Sequence, residues 1–122
     1  MTSWRKRIGD SGERLAADYL ARIGHRVLDR NVRRREGEVD LVTLDGETLV
    51  FVEVKLRRAG DFGGAIEAIT PAKQLRLQAL AEVYAAEHPE LPQQLRIDLV
   101  AVELTSDGVL REVRHVRSAV EG

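Results

Sequence analysis

Cysteine is absent from these 122 residues. Disulfides and thiolate metal sites are thereby excluded, and any metal must be held by oxygen or imidazole ligands. That favours Mg, Mn or Ca over structural Zn. The histidines, His25, His88 and His115, are scattered and show no ligand spacing. No run approaches the roughly 18 apolar residues that span a bilayer, so no membrane partner is expected. No apolar segment follows the charged opening MTSWRKRIGD, so a secretory signal is not expected and the cytoplasm is the default location. Internal repeats, low-complexity tracts and interdomain linkers are also missing. At this length one domain over 1–122 is expected, large enough for a real core.

Charge of one sign is lacking overall but not locally. The formal net charge is −1. Residues 1–35 nevertheless carry ten basic side chains, among them Arg5, Lys6, Arg7, Arg33, Arg34 and Arg35, against four acids. A block of that kind can bind phosphate backbones by counterion release, or can be a solvated basic surface. Trp4 within it could stack on a base or pack against the domain.

Periodicity supplies the elements. Ile8, Leu15, Ala16, Tyr19, Leu20 and Ile23 recur at helical spacing and predict a helix over 8–23, capped by Asp10 or Ser11 and stopped at Gly24. A short strand follows around Val27 and Leu28, over 25–32. Residues 37–44 and 47–56 predict a hairpin, with Asp45-Gly46 suited to a type I′ turn. Residues 58–69, with Gly60, Gly63 and Gly64, read as a loop, without the spacing of a phosphate-binding loop. Thr70-Pro71 is a good helix start, and the helix runs to about Ala86 with Leu75, Leu77, Leu80, Val83 and Tyr84 as apolar contacts. Strands are expected over 95–104 and 109–116. The fold class is therefore α/β: a mixed central sheet flanked by helices in the order α-β-β-β-α-β-β.

The hairpin carries the chemistry. Charged residues at Asp40, Glu53 and Lys55 interrupt strands that are otherwise apolar, which is costly unless something offsets it. With Asp45-Gly46 as a two-residue loop, Asp40 opposes Phe51 and Glu38 opposes Glu53. Glu38, Asp40, Glu53 and Lys55 then share one face. Clustered carboxylates repel, and a hard divalent cation relieves that. Such an ion would lower the pKa of a bound water and neutralise charge on a phosphate. Lys55 could orient or deprotonate the water, or bind the phosphate. The competing reading is a salt-bridged pair at the open end of a hairpin. Asp98, in a later strand, is read as holding Arg96 or Arg57.

GEVD at 37–40 and FVEVK at 51–55 resemble the YraN-like bacterial proteins, an uncharacterised group within the PD-(D/E)XK nuclease superfamily. The resemblance extends to Gly12-Glu13, Arg30-Asn31, Phe62-Gly63, Lys73-Gln74 and the strand with Arg96 and Asp98. It implies a restriction-endonuclease-like fold, with Asp40 and Glu53 as metal ligands, the Val54 carbonyl as a third, and Lys55 as catalytic lysine. Glu13 matches the helical acid that completes the metal site in Holliday-junction resolvase-like members, with a capping-box glutamate as its alternative. Lys73 and Gln74 match positions that often face the site, or are simply a solvent-facing helix start. Val39 stands where the superfamily has proline. The implied activity is Mg- or Mn-dependent hydrolysis of DNA phosphodiesters on branched or damaged substrates; the alternative is an accessory nucleic-acid-binding protein in repair or recombination with little turnover. Homodimerisation is compatible, since related resolvases work as pairs.

Overall fold

The computed structural model describes residues 4–59 and 69–120, with side chains from Ser11 onward. The expected glycine loop, including Phe62-Gly63, lies mostly outside the described residues. So do the side chains of Trp4, Arg5, Lys6 and Arg7.

Seven elements follow in the expected order: α1 (Trp4–Arg22), β1 (Arg26–Arg34), β2 (Gly37–Asp45), β3 (Thr48–Arg58), α2 (Pro71–Glu87), β4 (Gln94–Leu104) and β5 (Leu110–Val120). The strands form one mixed sheet in the order β1-β2-β3-β4-β5. Among the described residues only β3 and β4 are parallel, and α2 joins them, as a parallel pair requires a crossover.

The two helices cover opposite faces. Ala16, Ala17 and Leu20 of α1 pack on Leu41, Val50, Val52, Val100 and Val102. Leu77, Leu80, Ala81 and Tyr84 of α2 pack on Val42, Leu49, Phe51 and Ile97. Alternate residues of β2 and β3 thus enter two different cores, which explains runs apolar at odd and even positions. Ile23 and Leu75, expected in the apolar stripes, are exposed.

Helix α1 begins well before residue 8, so Asp10 and Ser11 lie inside it rather than at its start. Its end is as expected: Gly24 takes φ +101°, the Gly24 N–H bonds to the Ala21 carbonyl, and the His25 N–H bonds to the Leu20 carbonyl at 2.9 Å. This is a Schellman closure, in which glycine avoids the Cβ penalty of left-handed backbone. At α2 the Thr70 hydroxyl accepts from the Lys73 N–H at 3.2 Å, with Pro71 first in the helix.

The hairpin turn is displaced by one residue. Leu44 pairs with Leu49 and Asp45 with Thr48, so the loop is Gly46-Glu47 rather than Asp45-Gly46. Gly46 has φ +60° and Glu47 is not left-handed, which excludes type I′ and suits a turn needing glycine at its first central position only. Moving the loop by one residue moves the cross-strand register by two. Side-chain faces are therefore preserved, although the individual partners change.

Besides the register shift between Val27 and Asp29, alternation fails at one place in β1 and β2. Val39 and Val42 both enter the α2-side core, as does Val32 opposite Val39, while Leu41 enters the α1-side core. Between these pairs, Asn31 stands opposite Asp40 in left-handed backbone, φ 51°. Asparagine tolerates that conformation far better than β-branched residues. Beyond Leu41–Val52 the β2–β3 pairing stops.

On the α1 side a polar network ties β2, β4 and β5 together. Arg96 donates to Asp98 at 2.9 and 3.0 Å and to Asp45 at 2.9 Å. Asp98, fully buried, also accepts from His115 at 2.8 Å and from the Ser118 N–H at 3.0 Å. Ser118 is left-handed where the β4–β5 register shifts, which aims its N–H at that carboxylate. Asp98 thus holds Arg96, as expected. His25 is buried beside it, hydrogen-bonded to Thr43 and 3.6 Å from Asp45, and burial pushes its pKa down.

Two outcomes test this account. Asn31→Val should lower stability by about 1–3 kcal/mol, whereas Asn31→Gly should be nearly neutral, measured by urea denaturation. Burial pushes the Asp98 carboxyl up, but hydrogen bonds from His115, Arg96 and Ser118 outweigh it and leave it at about 2, below its ordinary 3.8. A carboxyl lowered on folding contributes stability that is complete above the unfolded value and is lost as pH falls through the folded one. Asp98 should therefore contribute about 2 kcal/mol at neutral pH, lost between about pH 4 and 2. Asp98→Asn should be less stable at neutral pH, and that step in the acid titration should vanish.

Candidate metal centre

The site forms where β2 and β3 part. With the ladder ended, the Val54 N–H has no β2 carbonyl to meet, and it donates instead to Asp40 Oδ2 at 2.7 Å. A side chain thereby continues the sheet's hydrogen bonding. A strand residue's N–H and C=O point to the same edge, so the Val54 carbonyl faces the same opening.

Glu53 precedes Val54 and belongs to the α2 face, with Leu49 and Phe51. It is buried, 7% exposed, and lies beside the Asp40 carboxyl. Burial, and then the neighbouring Asp40 charge, push the Glu53 carboxyl up to about 7, against the pull of Lys73. The Lys73 ammonium, from the first turn of α2, lies 3.2 Å from Glu53 Oε1. Lys55 shares the Glu53 face two residues on; among the described residues it makes no hydrogen bond or ion pair.

The other expected positions separate from this group. Glu38 was expected on the same face. It is exposed instead and pairs with Arg33 at 3.1 Å, because the break at Asp40 turns the start of β2 over. Gln74 donates its side-chain amide to the Ile69 carbonyl at 2.7 Å, so it secures the approach to α2. Glu13 is half-buried in α1. Its capping-box reading is removed, since it lies well inside that helix. Arg34 is engaged by Glu87 at the far end of α2, at 2.8–3.1 Å. Arg35 is exposed in the β1–β2 turn.

One feature, Asn31, escaped reading from the sequence, and Lys73 was left between a position facing the site and a solvent-facing helix start; the packing of α2 over β3 turns it to the carboxylates. Asn31 gave a signal, an asparagine in a strand, that could have marked the break opposite Asp40.

The donors fit a hard divalent cation. Two carboxylates and a backbone carbonyl are all-oxygen ligands, and the carboxylates are short of positive charge. Mg and Mn sites commonly use one or two carboxylates and complete the shell with water. Among the described residues no group of three or more His, Cys, Asp or Glu side chains gathers to hold a metal.

These features define an α/β protein with a paired-carboxylate site at the splayed end of a central hairpin. The model of the uncharacterised protein family UPF0102 matches residues 12–102, a span that contains α1 from Gly12, the hairpin, α2 and most of β4. Similar proteins include a UPF0102 protein of Symbiobacterium thermophilum, 49% identical over 106 residues, covering 87% of this chain and 90% of that one. One from Anaeromyxobacter dehalogenans is 49% identical over 118 residues, 97% and 87% of the two chains. Another from Roseiflexus castenholzii is 46% identical over 123 residues, 99% and 98%. The chain belongs to the UPF0102 family, the YraN-like group.

If the carboxylates repel, relieving them should stabilise the fold. Asp40→Asn keeps an acceptor for the Val54 N–H and removes one charge. It should raise stability at neutral pH by about 1 kcal/mol, or about 3–6 °C in Tm, read by thermal denaturation without added metal. A drop in Tm would show that the pair is not repulsive.

Proposed function

We propose that this protein is a metal-dependent nuclease of the PD-(D/E)XK type, hydrolysing DNA phosphodiesters on branched or damaged substrates with Mg or Mn. The observation that carries this reading is the close pair Asp40–Glu53, one carboxyl buried and the other bonded to the Val54 N–H, with Lys73 beside it and Lys55 two residues further along the same face of β3. A purely structural ion pair needs one carboxylate and one cation; two crowded carboxylates in a strand are explained by a cation of higher charge.

Asp40, Glu53 and the Val54 carbonyl would hold the ion. When bound, it would supply an acidified water and neutralise charge on the phosphate. Asp40 is fixed for this task by the Val54 N–H, and Glu53 by burial. Lys55 would orient the attacking water and hold a non-bridging phosphate oxygen. The water oxygen bonds to phosphorus as the bond to the leaving sugar oxygen breaks, with inversion along that line; the water gives a proton to solvent and the leaving oxygen takes one up from solvent. The basic stretch, including Arg33 and Arg35 at the β1–β2 turn and Arg5, Lys6 and Arg7 in α1, would track the DNA backbone. Cytoplasmic residence and a homodimer suit this role, and no described helix is long and apolar enough to cross a membrane.

One observation favours a second reading, an accessory protein that binds DNA with little turnover. Among the described residues no third acidic side chain joins the pair.

Cleavage of duplex, flap and four-way DNA with Mg or Mn distinguishes the two. The nuclease reading expects metal-dependent cleavage that falls by at least about 100-fold in Asp40→Ala and Lys55→Ala. Equal activity in the variants would overturn the mechanism. Binding without cleavage by the unmodified protein would decide for the accessory role.

A further inference from the structure

Lys73 is misplaced for a helix and well placed for the carboxylates. It stands in the first turn of α2, where the helix dipole disfavours cations and where a capping box would put glutamate. That turn contains no acidic residue to offset it. Thr70 already satisfies the Lys73 N–H, so the side chain is not needed for capping. Its ammonium instead reaches 3.2 Å from Glu53 Oε1, with the lysine side chain 35% exposed and the glutamate 9%. Lysine combines a compact point charge with a flexible stem. Here the stem leaves a rigid helix and the head can take more than one position.

We propose that Lys73 and a divalent cation are alternative counterions of the Asp40–Glu53 pair, so that metal entry displaces the Lys73 ammonium, which then binds a phosphate of the nucleic acid. This rests on the metal-site reading above and adds a coupling between ion and substrate. Charge accounting supports exclusion. Two carboxylates with the ammonium leave one negative charge; with a divalent ion they are neutral; with both, one positive charge would sit at a half-buried site. Two cations sharing the Glu53 carboxylate would also repel at close range. The freed ammonium has an anion to meet, because the same ion brings the phosphate to the site. Arg76, one turn further along α2 and exposed, adds a second basic group on that side. The protein so arranged always keeps a cation beside its carboxylates and offers Lys73 to substrate only after the ion is in place.

Titration calorimetry with Mn, without nucleic acid and in mildly alkaline buffer to keep protons out of competition, compares the unmodified protein with Lys73→Met and Asp40→Asn. Competition expects about tenfold tighter Mn binding in Lys73→Met, the scale of one charged contact removed, and loss of binding in Asp40→Asn. A second readout needs no variant. Acetylation of Lys73 by dilute acetic anhydride, followed by peptide mass spectrometry, should quicken several-fold on adding Mg. Unchanged or weaker Mn binding in Lys73→Met, with binding otherwise intact, overturns the competition and leaves the metal site standing. Indifference of Lys73 acetylation to Mg overturns it equally. Absence of any Asp40-dependent Mn binding in the unmodified protein removes the metal-site reading and this inference together.

Discussion

A hydrogen bond of 2.7 Å between the Val54 N–H and the Asp40 carboxylate governs both the sheet and the site. The β2–β3 ladder ends one residue away, at Leu41–Val52. Without a side-chain acceptor the splayed strands would leave a half-buried backbone donor unpaired, a loss of roughly 1–3 kcal/mol. Asp40 satisfies that donor and so permits the strands to part. Parting them opens the edge on which the Val54 carbonyl lies and sets Glu53 beside Asp40. One contact therefore settles a folding problem and builds a charge problem.

The rest of the fold holds that charge problem in place. Phe51 and Leu49 anchor β3 under α2, while Val50 and Val52 anchor it under α1. A strand gripped on both faces cannot turn Glu53 out to water. On the other face of the sheet, the Arg96–Asp98–His115 network makes the opposite choice: its buried carboxyl is fully compensated and is held at about 2. The two carboxylate sites have contrasting environments. Asp98 has three donors and serves stability; Glu53 has one cation and a neighbouring acid, and is left poised for an ion.

Much of this was legible in the amino-acid order. Periodicity located both helices and all five strands, because each face of the sheet is buried and each helix has one apolar stripe. Thr70-Pro71 and Gly24 marked helix ends through local hydrogen bonding and φ preference, which operate within a few residues. Asp40, Glu53 and Lys55 stood out because charge in a buried strand is rare. The misplaced start of α1 has an equally local cause: Asp10, Ser11 and Glu13 look like a cap, yet a preceding helical turn satisfies their backbone and makes a cap unnecessary. The turn was misplaced by one residue, since both Asp45-Gly46 and Gly46-Glu47 offer a glycine; parity of the register saved the assignment of Asp40 and Glu53 to one face.

What the sequence determined alone was the set of elements, the family and the charges that do not belong in a core. What only the tertiary structure decided was which of those charges meet. Glu38 left the group because left-handed Asn31, across the strand from Asp40, breaks the alternation there. Lys73 joined it because α2 packs over β3 and carries its first turn to Glu53. His25 and His115, far apart in the chain, came within 5.9 Å between ring centroids. Such meetings depend on packing between segments distant in sequence, and no local pattern of residues encodes their distance.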